Sequence, residues 1–209
     1  MRCGSRLWTA PNPGERLVAG AASHSAMTEI SRAVAARFPG YFPVRVVSFN
    51  KSKAANWRVP WHQDRVIAVE NKACDVPGFK NWSLKGGIWH CEPPEQILAQ
   101  MLFVRVFLDV CTAANGGMVF AVGSHRGGLQ QANRAAEYAA QFPTETEEAQ
   151  SGDILVLPML TLHRSGDAVA EQSRRIFRID FAATALPNPL TWFEQPLSEK
   201  YTNHNGAIR

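Results

Sequence analysis

Residues 101–122, "MLFVRVFLDVCTAANGGMVFAV", decide how the chain is read. Met101 to Val110 is an apolar, β-branched run broken only by Arg105 and Asp109, and it reads as a long buried strand. Asn115-Gly116 is a strong turn signal, because both residues tolerate positive φ. Beyond it "GGMVFAV" resumes the extended texture. Working outward, "FPVRVVSF" (42–49), "VIAV" (66–69), "DILVLPMLTLH" (153–163) and "RRIFRIDFAA" (174–183) have the same character. Helical spacing is confined to the Ala-rich residues 15–38, which end at Phe38-Pro39-Gly40, and to a short stretch within 129–142. Strands do not alternate with helices, so a parallel α/β sheet is excluded. The expectation is a mainly β fold, a jelly roll with flanking helices, in one domain over residues 1–209 with its core at about 42–183.

Two segments fall outside that pattern. Residues 71–96, "NKACDVPGFKNWSLKGGIWHCEPPEQ", are rich in Gly, Pro and Trp and predict a long irregular lid loop. The tail "SEKYTNHNGAIR" predicts a frayed end.

Bulk properties narrow the function. At 209 residues the chain can bury a real core without disulfides, and 45% apolar with 19% charged residues is a soluble composition. No apolar run approaches the roughly 18 residues that span a bilayer. Nothing after Arg2 resembles the apolar core of a secretory leader. Cys3, Cys74, Cys91 and Cys111 show no CxxC pairing, which suits free thiols in a reducing cytoplasm. The net charge of +4 and pI near 9.0 raise the question of nucleic acid. Basic residues are scattered, however, and aromatic ones do not interleave with them, so a nucleic-acid partner is not expected. A small-molecule substrate is, with the chain a monomer or homodimer.

The chemistry starts at "VPWHQDRVIAV", residues 59–69. In a strand, residues two apart project to one face, so His62 and Asp64 would present an imidazole and a carboxylate side by side. A third ligand would complete a two-His, one-carboxylate triad that leaves half of an octahedral ion open. His163, ending "DILVLPMLTLH", is the best candidate; His24, His90, His125 and His204 compete.

These segments, taken together, resemble the phytanoyl-CoA dioxygenase family of Fe(II)- and 2-oxoglutarate-dependent oxygenases. The resemblance is carried in order by "NWRVPWHQD", "VRVFLDVCTAANGGMVFAVGSHRGG" and "LHRSGDAVAEQSRRIFRIDFA". It implies a double-stranded β-helix, cupin-like, holding one iron through His62, Asp64 and His163. It also implies a 2-oxoglutarate-binding arginine a turn and a strand past the distal histidine, which reaches Arg174, with Arg175 as fallback. Strand parity puts Arg174, Ile176, Arg178 and Asp180 on one face, the more polar one. A guanidinium fork is the strongest bidentate partner for the distal carboxylate of the keto acid. Ser165 is either near that co-substrate or a turn residue. Arg105 must be paired or face the cavity; it either receives a carboxylate or bridges Asp109. Lys51 and Gln63 could approach the site, though exposure is expected for Lys51. Trp61, Trp82 and Trp89 either roof the site or pack.

The implied reaction is hydroxylation of a small molecule by O2, with release of succinate and CO2. Asp64 favours it, since related halogenases carry a small residue there. The alternatives are a non-catalytic jelly roll that binds a metabolite or metal, and a cupin-like metal-dependent isomerase or hydrolase, which needs no Arg174. The sequence departs from the family in "NGGM" and "VGSH", each of which lacks a proline. The family also commonly opens with a further helix and strand. Either this start is late or the sheet lacks an edge, which another subunit could cover.

Overall fold

A computed structural model describes residues 21–73 and 75–194. The elements run α1 (Ala21–Arg37), β1 (Phe42–Lys51), β2 (Val59–His62), β3 (Ile67–Val69), β4 (Lys80–Lys85), β5 (Ile88–Glu92) and α2 (Glu95–Leu98). They continue with β6 (Met101–Phe107), β7 (Met118–Ala121), α3 (Ala135–Ala139), β8 (Thr144–Thr146), β9 (Ile154–Pro158), β10 (His163–Ser165) and β11 (Arg174–Ala182). Eight strands make two facing antiparallel sheets, a major one ordered β1-β11-β6-β9 and a minor one ordered β2-β10-β7-β8. Apart from the neighbouring pair β7–β8, the chain passes from one of these two sheets to the other at each step between their strands, as the expected jelly roll requires. The segment expected from residue 15 begins at 21 among the described residues, and the tail, Cys3 and Cys74 lie outside them.

Strand β6 shows why its sequence is apolar throughout. Met101 and Phe103 enter the core between the sheets, whereas Leu102 and Val104 pack on the opposite side with Val34 of α1 and Phe181 of β11. A strand covered on both faces reads as a continuous hydrophobic run. Helix α1 therefore closes the outer face of the major sheet. α3 does the same for the minor sheet, where Trp61 of β2 packs with Ala135 and Ala139.

Two expectations need correction. The segment 71–96 is no irregular loop: β4 and β5 form a hairpin that pairs with β3 as a third sheet, β3-β5-β4, so "VIAV" belongs to this insertion. Its alternating Trp82 and Trp89 pack against the inter-sheet core instead of roofing an opening. The run 153–163 divides between β9 in the major sheet and His163 at the start of β10 in the minor one.

Asn115-Gly116 does turn the chain, at a corner between the two sheets. Only Gly116 takes positive φ, at 79°. Asn115 works through its side chain: Oδ1 accepts from the Thr112 N–H at 2.9 Å and Nδ2 donates to the Val110 carbonyl at 2.7 Å. The glycine is needed for a second reason, since a Cβ there would lie 2.9 Å from Cε of Lys51. The corner is folded down onto a buried lysine.

Candidate active site

The three proposed ligands converge. One ligand atom from each of His62, Asp64 and His163 lies within 4.8 Å of the others. The reason is not the strand geometry expected from the HxD spacing, because β2 ends at His62 and Asp64 follows in a loop. The minor sheet supplies it instead. His163 on β10 is the register partner of His62 on β2, and their rings stand 4.2 Å apart. Gln63, expected to approach the site, holds the loop: its amide donates to the carbonyls of Leu160 at 2.7 Å and Gly128 at 2.9 Å, and its Oε1 accepts from the Gln130 N–H at 2.8 Å. It is structural, and it turns Asp64 back toward the imidazoles.

Both histidines are set in the same way. Nδ1 of His62 lies 2.8 Å from the Pro60 carbonyl, and Nδ1 of His163 lies 2.9 Å from that of Thr161. A carbonyl accepts only, so Nδ1 carries the proton and Nε2 presents its lone pair. Those Nε2 atoms face Asp64, His163 at 3.2 Å from Oδ2 and His62 at 3.7 Å from Oδ1. Burial lowers the pKa of His62, and His163 beside it lowers it further, against the opposing pull of Asp64. In metal-free protein, an NMR titration of the His62 ring is therefore expected to show a midpoint below the ordinary value of about 6.5. The unfolded chain takes up that proton first, so stability at this group is lost as pH falls below that value. A midpoint above it would mean that the imidazole is held as a cation, unfit to bind a metal.

The other end of the site is cationic. Arg174 opens β11 opposite Lys51 of β1, and both are buried. Arg105 on β6 faces the same space. One carboxylate, that of the fully buried Glu147, sits among them. Arg105 Nη2 donates to its Oε2 at 3.1 Å, Arg174 Nη1 lies 3.6 Å from the same oxygen, and the Met118 N–H donates to it at 2.9 Å. Lys51, expected to be exposed, is instead 0% exposed and donates to the carbonyl of Gly166, next to Ser165. Burial, and then Arg174, bring its pKa down to about 8. Ser165 is partly buried on β10, in register with Met118 and Val59.

Arg175 has a different fate. It points outward and clamps Asp109 with Nε at 2.9 Å and Nη2 at 2.8 Å. That removes Asp109 as the partner of Arg105, whose carboxylate is Glu147. Arg174 is thus the arginine of the pair that faces inward.

Sequence reasoning missed the residue that grips the carboxylate of the triad. Arg178 donates through Nη1 to Asp64 Oδ2 and through Nε to Asp180 Oδ1 at 2.6 Å, with its guanidinium 4.9 Å from the Phe103 ring centre. Burial weighs against its charge, but Asp180 and Asp64 outweigh burial and raise its pKa. Asp64 is the converse. Burial pushes its carboxyl up, while Arg178, then His163 and His62, bring it well below the usual carboxylate range. The parity of β11 had put Arg178 and Asp180 on the face of Arg174, which was the available signal. Nothing in "TETEEAQ" singled out Glu147.

The likenesses to known proteins agree with this geometry. No curated protein sequence matches the chain. Among solved structures, AviO1 from Streptomyces viridochromogenes Tue57 superposes with a TM-score of 0.53 at 23% identity, over 76% of this chain and 59% of that one. SnoN, a non-heme alpha-ketoglutarate-dependent epimerase from nogalamycin biosynthesis, gives 0.55 at 15% identity, over 79% and 58%. HygX from Streptomyces hygroscopicus, solved with nickel and 2-oxoglutarate, gives 0.51 at 14%, over 90% and 72%. At these identities the likeness is one of fold, and the chain spans less than two thirds of AviO1 and SnoN. Among the described residues no helix is long and apolar enough to cross a membrane. Sequence kinship comes from a family match over residues 17–176 of the 209, a span that holds both histidines, the aspartate and Arg174. On that match the chain belongs to the phytanoyl-CoA dioxygenase family.

Proposed function

We propose that the chain is an Fe(II)- and 2-oxoglutarate-dependent dioxygenase that hydroxylates a small molecule, releasing succinate and CO2. The observation that carries this reading is the convergence of His62, Asp64 and His163 within 4.8 Å. Two neutral imidazoles and one carboxylate are the donor set of an open, six-coordinate iron site. The co-substrate fits as well. Beyond the ligands the inward face of β11 leads to Lys51, Arg105 and Arg174, three buried cations; Glu147 is the buried carboxylate that answers the two arginines, and Asp167, which acts on Lys51, is itself bound by Arg58. That surplus of charge suits one more carboxylate, such as the distal one of a keto acid. When bound, iron, 2-oxoglutarate and O2 supply an oxidant strong enough to break a C–H bond.

The residues of the chain divide the work. His62 and His163 offer Nε2 because backbone carbonyls hold Nδ1. Arg178 occupies one oxygen of Asp64, which leaves the carboxylate one oxygen for the metal and keeps other coordination positions open. Arg174 receives the co-substrate from the far side, with Ser165 and Lys51 beside it. Phe103, whose ring centre is 5.3 Å from that of His163, keeps water from that wall. Asp64 is what favours hydroxylation, because a carboxylate there leaves no room for a halide ligand.

The test is made on protein purified without oxygen. Adding Fe(II) and then 2-oxoglutarate is expected to produce the weak visible charge-transfer band of the chelate. Admitting O2 with a substrate should release succinate in step with a product that has gained one oxygen atom. If no band forms in protein that binds metal, the chain is no such oxygenase. If succinate forms with a product that has gained no oxygen, the metal centre stands and hydroxylation does not.

A further inference from the structure

A second space opens beside the metal ligands. A cavity of about 430 Å³ has His62 and Asp64 on one wall and the β4–β5 hairpin on another, a volume suited to a small organic molecule. It lies toward the Arg45–Asp180 end of the β1–β11 pairing, away from the Lys51–Arg174 end where the co-substrate would sit. The insertion that the sequence suggested as a lid is thus a wall built from regular structure.

The charges on this wall do not balance. Arg45, Arg65 and Lys85 reach the cavity, and apart from Asp64 the carboxylate that answers them is Glu92. Glu92 is buried and already engaged. Asn81 Nδ2 donates to its Oε2 at 2.8 Å, while Lys80 and Arg65 lie 3.6 Å and 3.9 Å from Oε1. Asp180 stands 3.5 Å from Arg45 but bonds Arg178 more closely, at 2.6 Å. Around the cavity Arg45, Arg65, Lys80, Lys85 and Arg178 therefore face Asp64, Glu92 and Asp180, five positive charges against three negative. A divalent metal and a 2-oxoglutarate dianion cancel each other and leave that excess in place. Arg45 and Arg65 are 23% and 24% exposed, so an anion would meet them partly sheltered from water, where attraction is stronger. His90, buried on the same wall, has Nδ1 on the Ile88 carbonyl at 2.9 Å.

We propose that this cavity receives the primary substrate and selects a small anionic one, whose carboxylate or phosphate group meets Arg45, Arg65 and Lys85 while its reacting carbon faces His62 and Asp64. The inference rests on the oxygenase reading above. It is tested with butyrate, butyramide and butylammonium, three probes of one size and different charge, and with inorganic phosphate. Saturation-transfer NMR on the full chain reads their binding with and without Fe(II) and 2-oxoglutarate. Butyrate and phosphate are expected to bind at least about ten-fold more tightly than the neutral and cationic probes, a preference lost in the Arg65→Gln/Lys85→Gln double variant. With metal and co-substrate in place, butyrate should also shift the visible band. Equal binding of butyramide, a preference for butylammonium, or an anion preference that survives the double variant overturns the proposal. So does an anion that binds only by displacing 2-oxoglutarate. A wild-type chain that holds butyrate through Arg65 and Lys85 yet forms no band keeps the cavity's selectivity and loses the oxygenase reading.

Discussion

Arg174→Ala should weaken 2-oxoglutarate binding by about 2–5 kcal/mol, the usual cost of removing one partner of a desolvated charge pair, which is about thirty-fold or more in Kd. Arg175→Ala should leave the affinity within about two-fold, since its guanidinium is occupied by Asp109 at the surface. The two neighbours thus make a matched pair of variants, measured by anaerobic titration of the charge-transfer band or by calorimetry. The loss in Arg174→Ala is expected in binding more than in folding. Glu147 keeps the Arg105 guanidinium and the Met118 N–H when Arg174 is cut away, so its carboxylate is not stranded. Lys51 adds a pH dependence to the same titration. Its pKa of about 8 makes it an ammonium at neutral pH, and raising the pH past that value removes a cation from the anchor, so 2-oxoglutarate affinity should fall there. Equal losses in the two variants, or the larger loss in Arg175→Ala, would take the anchoring role from Arg174.

How far the sequence foretold this site can be judged residue by residue. His62, Asp64 and His163 were brought together on the page because a resemblance fixed their order, and the same resemblance pointed to Arg174, with strand parity in agreement. The physical reason given for His62 and Asp64 sharing a side was nonetheless the wrong one. A strand was assumed through Asp64, while the protein ends the strand and bends the loop with Gln63, a residue whose amide can satisfy three backbone groups at once. Lys51 illustrates a second kind of blindness. In "SFNKSKAANW" it looks like any surface lysine, yet the corner at Gly116, more than sixty residues away, closes directly over it. Glu147 is hidden by its neighbours in the same manner, lying in an acidic run in which Glu145 and Glu148 are less enclosed. Composition predicts the average fate of a charged residue; only the pairing of distant strands shows which one is the exception. The lid failed for a different reason. Gly, Pro and Trp masked a hairpin whose register is irregular between Lys80 and Ser83, so its alternation of exposed and buried residues is broken where the signal would have been read.

Arg178→Met should destabilise the metal-free protein by about 3–5 kcal/mol near pH 7.5, because it takes the nearest cation from two carboxylates, Asp64 and Asp180, and leaves Asp180 only Arg45 at 3.5 Å. The penalty should shrink as the pH is lowered toward 5. In the native chain burial raises the Asp64 carboxyl, but Arg178 and the two histidines hold it well below its ordinary value of 3.8. A depressed carboxylate contributes stability above its unfolded value and loses it only as pH falls through the lower folded one. Without Arg178 the largest opposing charge is gone and burial pushes the carboxyl up. The folded variant then binds a proton more readily than its unfolded chain does, and acidification relieves it. Denaturant unfolding at pH 7.5, 6 and 5 should therefore show the two proteins converging in acid. Ni(II), added near neutral pH, should recover part of the loss by supplying positive charge at Asp64. Methionine keeps the bulk against Phe103, so lost packing is a minor part of the change. A penalty that stays constant with pH, and that Ni(II) leaves untouched, would show that Arg178 serves the core as a flat hydrophobic cover and that its charge has no hold on the metal-binding carboxylate.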